Sequence, residues 1–316
     1  MSKIMSFAKV LILIVFLMGP NASAQKAPLK PKRIPRLQII PMPYHQASFQ
    51  HEGVEITRYH FGPGLHRPFL FPVNGPSGYS LTRMGHPHDP QSHSHHNSVW
   101  ISHNDVNGTN FWSDSGSGKI RHKRIVKIED TGENSSIITE NEWIVDENKI
   151  LLSETRKITV LLLDKSEWLL IIEMEFKAID KTVTLGKTPF GMIGVRMAKT
   201  IGVHDGGGRI RNSEGAVNEK EVLWKRAKWV DYSGAITNEK LEGITLFDHP
   251  DNPNFPTYFH VRNDGWMGAS LTFDGPKIIP PNKPLHLRYG LYIHSDMKSN
   301  DAIEAQWKQF TKIDLK

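Results

Sequence analysis

The chain has 316 residues, no cysteine and a formal charge of +6. Without cysteine there are no disulfides and no thiolate metal sites, so any metal would rest on imidazole and carboxylate ligands. The positive charge is mild and no long Lys/Arg run occurs, which argues against nucleic acid and favours acidic glycans or lipids as anionic partners.

In chain order, Lys3 and Lys9 flank the start of an apolar run over residues 10–18. Gly19-Pro20 break the run and Ala22-Ser23-Ala24 supply small residues. That order is expected of a secretory peptide cleaved near Ala24. The run is shorter than the roughly 20 residues of a membrane helix, and no later segment is long and apolar enough to span. The expected location is therefore periplasmic or secreted. Residues 25–44, with Lys26, Pro28, Lys30, Pro31, Lys32 and Pro35, read as a tether. Residues 45–316 read as a single β-sandwich domain.

Strand-like segments then succeed one another. Residues 54–61 alternate, and 136–145 carry Ile137, Ile138, Trp143 and Val145. Segments 149–163 and 167–178 form an apolar pair joined by Asp164-Lys165-Ser166. In the second, Trp168, Leu170, Ile172, Met174 and Phe176 share one face, while the other passes from Leu169 and Ile171 to Glu173, Glu175 and Lys177. Further strands are expected at 221–231, 242–248, 257–263, 266–273 and 285–294. The C-terminus alone reads as a helix: Ser299 or Asn300 caps it, and Ile303, Trp307 and Phe310 follow at i, i+4 and i+7. The fold class is all-β, a large antiparallel sandwich with a short C-terminal helix.

The chemistry concentrates in residues 83–112. Six of the sixteen histidines (His86, His88, His93, His95, His96 and His103) fall in this stretch, and packing alone rarely gathers so many titratable rings. A metal site, acid–base or anion-binding chemistry, and a hydrogen-bonded structural loop are the three readings. Asp105-Val106-Asn107-Gly108 is a turn, and Phe111 and Trp112 are core or a sugar-stacking platform. A second polar set comprises His249-Pro250-Asp251-Asn252-Pro253 and the stretch from Tyr258 to Arg262, where His260 and Arg262 alternate onto one face. Arg196, among apolar neighbours, is either a buried ion-pair partner or a carboxylate clamp.

Several of these motifs together resemble the DUF6807 family, also labelled the "PmoA family". They are Arg67-Pro68-Phe69, His93-x-His95-His96, Trp100, the 105–108 turn with Phe111-Trp112, Trp224-Lys225-Arg226-Ala227-x-Trp229-x-Asp231-Tyr232-Ser233-Gly234, and His249-Pro250-x-Asn252-Pro253-x-x-Pro256-Thr257. The methane-oxygenase label does not suit a chain with no apolar spans. The resemblance implies a sandwich similar to the galactose-mutarotase supersandwich, and a place in polysaccharide breakdown; some relatives resemble dehydratases acting on ulvan oligosaccharides. One departure stands out. Relatives carry an acidic residue before the glycine of the segment leading to Arg196, where this chain has Lys187-Thr188-Pro189-Phe190-Gly191.

A lyase removing water from the terminal uronate of an acidic oligosaccharide is then the expected activity. Such chemistry needs a cation on the carboxylate, a base for the C5 proton and an acid for the departing hydroxyl. Arg83, Arg196 and Arg262 are the candidate cations. His95, His96, His260 and Tyr258 are the candidate base and acid, with His93, His103 and His249 binding substrate. No resident cofactor is assigned; a His-bound divalent metal is the alternative. A glycoside hydrolase using Glu173, Glu175, Asp105 or Asp231, and a non-catalytic glycan-binding protein, are the competing functions. Oligomeric state is left open.

Overall fold

A computed structural model describes residues 34–85, 93–146 and 149–314. The expected signal peptide, residues 25–33 of the expected tether, and His86 and His88 lie outside the described residues. From Pro35 onward the chain forms one unit. Its strands are β1 (Leu37–Met42), β2 (Gln46–His51), β3 (Val54–His60), β4 (Phe69–Val73), β5 (Val99–His103), β6 (Lys119–Asp130), β7 (Asn134–Asp146), β8 (Lys149–Leu162), β9 (Trp168–Ala178), β10 (Val183–Leu185), β11 (Gly191–Arg196), β12 (Arg209–Asn212), β13 (Lys225–Arg226), β14 (Trp229–Thr237), β15 (Lys240–Asp248), β16 (Tyr258–Arg262), β17 (Trp266–Ser270), β18 (Lys277–Ile279) and β19 (Leu285–Ser295). The helices are α1 (Val203–Gly206), α2 (Asn218–Val222) and α3 (Asn300–Phe310).

Two large antiparallel sheets carry the fold. One runs β1-β2-β3-β4-β5-β11-β17-β16-β13 and the other β12-β14-β15-β19-β9-β8-β7-β6, with β10 and β18 paired apart. Alternation builds the core between them. Val99, Ile101, Ile193, Val195, Phe259, Val261, Met267 and Ala269 of the first sheet are buried in one cluster with Trp168, Leu170, Ile172, Met174 and Phe176 of β9. The opposite face of β5, β11, β17 and β16 is thereby left for the residues between them.

The second face of β9 divides because α3 covers only part of it. Leu169 and Ile171 pack with Ile303 and Phe310 of α3. Glu173 and Glu175 lie past the helix and line a cavity of about 400 Å³. The helix starts as the sequence implies: the Ser299 hydroxyl accepts from the Ala302 amide at 3.2 Å.

Two expectations need correction, and one strand was not expected. Leu37–Met42, within the expected tether, is a strand paired with β2; Leu37 and Ile39 are buried, and Pro41 is tolerated because β1 is at the sheet edge. The strand expected at 221–231 is instead the short helix α2, then β13 and the start of β14. Trp224, between α2 and β13, takes a left-handed φ of 56°, which interrupts extended backbone. β6 carries too many charges to read as a strand, and it too is an edge, paired only with β7.

Candidate active site

The free face of the first sheet is organised by register. One row across it reads Phe69, Trp100, Gly194, Gly268 and His260. The next reads Arg196, Trp266 and Arg262. The glycines make room for indoles: a Cβ on Gly194 would stand 2.6 Å from both the Trp100 and Trp266 rings. These two indoles stack at 5.4 Å and, with Phe69 and Trp112, form a buried cluster. Above them lies a cavity of about 650 Å³ lined by His93, His95, His96, His260, Arg262 and Trp266, among others.

The histidine loop rests on this floor. His96 stacks on Trp100 and Trp266, each at 5.1 Å, and His93 stacks on His96 at 4.4 Å. His95 meets His96 edge-on at 4.5 Å. Arg67, 1% exposed, clamps the loop: its guanidinium donates to the carbonyls of His95 (3.1 Å), Phe111 (3.2 Å) and Trp112 (2.8 Å) and to Asn97 Oδ1 (2.6 Å). The Arg67-Pro68-Phe69 motif therefore joins the His loop to the Trp112 loop.

Burial sets the electrostatics. It lowers His95 to about 4, with Arg67 adding to the effect. It lowers His260 to about 4, with Arg262 second and the Pro189 carbonyl opposing. His96 is driven further down by burial and by His95. All three are neutral imidazoles at pH 7. The Nδ1 atoms of His96 and His260 are buried and have no hydrogen-bond partner among the described residues.

Arg196 is the buried ion-pair partner of the two readings. Its Nη1 donates to Asp264 Oδ1 at 2.9 Å, and Nη2 lies 3.4 Å from His93 Nδ1. The same His93 Nδ1 lies 3.8 Å from Asp264 Oδ2. Arg262 is half-exposed and lies 3.2 Å from Glu219. Glu219 and Asn263 bond reciprocally, amide to side-chain oxygen, at 3.1 and 2.7 Å. This ties α2 to the β16–β17 turn.

The remaining expected site residues lie elsewhere. His103 is fully buried; its Nδ1 accepts from the Asp105 amide at 3.1 Å and its Nε2 faces Thr272 at 2.9 Å, so it staples a turn. Tyr258 stacks on Phe273 under the Arg226 guanidinium. His249 opens on the cavity of Glu173 and Glu175. Arg83 donates its amide to the Arg196 carbonyl and does not line the main cavity. Phe111 is core against Trp143, whereas Trp112 lines the cavity.

Of the four hydrolase candidates, Glu173 and Glu175 share the smaller cavity, while Asp105 and Asp231 lie apart from them and from each other. Asp231 is a buried hub for Arg211, Ser233, Thr245 and His294, and Asp105 caps its own turn through the Gly108 amide. The carboxylates that line the main cavity, Glu219 and Asp264, and its aromatic Trp266 carry no motif in the sequence, whereas Trp224 stands in a family motif and Phe190 directly before Gly191. Among the described residues, no group of three or more His, Asp or Glu is arranged to hold a metal ion.

The HPxNPxxPT motif positions the site at one remove. Asn252 Nδ2 donates to Asp248 Oδ1 and to the Arg288 carbonyl, both at 2.7 Å, while Asp248 Oδ2 accepts from the Thr257 amide at 2.9 Å. The loop is thereby fixed to β19 immediately before β16 presents His260.

No curated protein matches the chain. Among solved structures, it is similar to a protein described as a kojibiose phosphorylase from the human microbiome. That match has 12% identity and a TM-score of 0.38, and covers 90% of this chain but 37% of the other. The chain thus spans little more than a third of the phosphorylase. It is also similar to a GalM/aldose epimerase homologue from C. elegans, at 10% identity and a TM-score of 0.34, covering 83% of this chain and 99% of that one. The family model of DUF6807 matches residues 46–308. The chain belongs to DUF6807, a family of unknown function.

Proposed function

We propose that this is an exported carbohydrate-active lyase that eliminates water across C4–C5 of a terminal uronate on an acidic oligosaccharide. The observation that carries this reading is the meeting, in one cavity over an indole floor, of neutral histidines and a half-exposed arginine. Arg262 neutralises the uronate carboxylate, which acidifies the adjacent C5 proton. His260 lies two residues away on the same strand face, about 7 Å along it, and so stands next to the carbon that the carboxylate activates.

His260 takes the C5 proton, its electron pair becomes the C4=C5 bond, and the C4–O bond breaks. The departing hydroxyl receives a proton from His93 or His95 and leaves as water. A carboxylate brought beside His260 raises its proton affinity toward neutrality. A buried imidazole that is a poor base in the free protein thus becomes a better one in the complex. No step needs an oxidant or a metal.

The test is ultraviolet absorbance on incubation with uronate-ended oligosaccharides. A rise given by the wild type and lost in His260→Gln supports the reading. Unchanged substrate across an acidic panel sinks it.

A further inference from the structure

Trp224 is the feature of the cavity that the elimination does not use. Its ring is 46% exposed although it lines the site. It faces Phe273 at 5.9 Å and His260 at 6.2 Å. A bulky residue at a φ of 56° is strained, and the fold does not use the ring as buried core. What the fold does is hold it. The Trp224 amide donates to the Phe259 carbonyl at 2.8 Å. Five residues earlier in the same wall, α2 is anchored through Glu219 to Asn263 and Arg262. A large ring kept exposed, rigid and strained at the mouth of a polar cavity fits a ligand face better than it fits packing.

We infer that Trp224 is a second sugar subsite, a stacking platform for the unit next to the one held at His260 and Arg262, so that the protein selects oligosaccharides over monosaccharides. This rests on the proposed function and adds a length requirement to it. The apolar face of a pyranose would lie on the indole, with its hydroxyls turned to solvent. Phe190 and Trp112, 5.9 Å apart, serve the inner unit, so the two subsites use different rings.

The experiment is calorimetric binding of glucuronic acid, a glucuronate-ended disaccharide and the matching tetrasaccharide to wild type and to Trp224→Ala and Trp224→Phe, with neutral cello-oligosaccharides in parallel. Circular dichroism and thermal melting check the fold of each variant. The wild type is expected to prefer the disaccharide over the monosaccharide about ten-fold, the order of one aromatic stacking contact. Trp224→Ala should remove that preference while leaving monosaccharide affinity unchanged, and Trp224→Phe should retain part of it.

Equal weakening of monosaccharide and oligosaccharide by Trp224→Ala, or no effect on either, would overturn the inference. Trp224-dependent binding of neutral oligosaccharides alone would keep the platform and reject the uronate reading. Acidic binding indifferent to Trp224 would do the reverse. Binding of no sugar by the wild type would reject both.

Discussion

His260 and Arg262 share one face of β16, and each has a neighbour that decides its chemistry. Burial keeps His260 neutral; Glu219 holds Arg262 in place without covering it. Replacing His260 by Gln should lower turnover by about 10²–10⁴-fold, the usual contribution of a general base, with substrate affinity largely kept. Arg262→Met should instead act first on substrate affinity, seen as a raised KM. The pH profile follows from burial. With His260 lowered to about 4, kcat/KM should stay flat from pH 7 down to about 5 and fall only as pH nears 4. The acid limb of kcat should lie higher, because bound carboxylate raises the same group. An acid limb of kcat/KM at the ordinary histidine value of 6.5 would show that another, more exposed imidazole is in control.

At the scale of elements, the site depends on how loops are pinned to the sheet. Arg67 makes five hydrogen bonds from a buried position, the longest to Asp114 Oδ1 at 3.5 Å, so Arg67→Met should destabilise the protein by about 3 kcal/mol and loosen the histidine loop. Urea unfolding and tryptophan fluorescence would report the two effects. Gly194→Ala should cost about 1–3 kcal/mol by overpacking the indole floor, again measured by urea unfolding.

The sequence carried part of this. The two-residue period of 257–263 was enough to put His260 and Arg262 on one face, because β16 obeys that period. The alternation of β9 and the cap of α3 were legible for the same local reason. Asp264 and Glu219 were hidden: one lies in an Asn263-Asp264-Gly265 turn whose composition reads as a turn and nothing more, the other on a single helical turn without periodicity. Glu219 is placed by bonds to Asn263 spanning 44 residues, and Asp264 by its bond to Arg196 spanning 68. His103 misled because its place in the cluster is sequential; the strand turns it into the fold, away from the loop. Arg67 was visible as part of the Arg67-Pro68-Phe69 motif, but its role was hidden because its partners are mostly backbone carbonyls.

For the whole molecule, burial of histidines links stability to pH. His103 and His260 are each lowered from 6.5 to about 4, so between these values the unfolded chain binds more protons. Each therefore contributes stability that is complete above pH 6.5 and is lost as pH falls toward 4, at about 1.4 kcal/mol per pH unit. Asp248 opposes them. Its burial raises it from 3.8 to about 7, so its protonated form favours the fold and this contribution is lost as pH rises through 7. With His95 and His96 also lowered, the histidines outnumber it. Urea midpoints should fall steadily from pH 6.5 to 4; a flat or rising midpoint would contradict the buried, neutral cluster.

Removal of water from a uronate in this cavity is read from the mass of the product. Incubated with a glucuronate-ended oligosaccharide, the wild type should yield a product lighter by one water, and His260→Gln should not. Fragments that together gain one water, or an unchanged substrate, would contradict it.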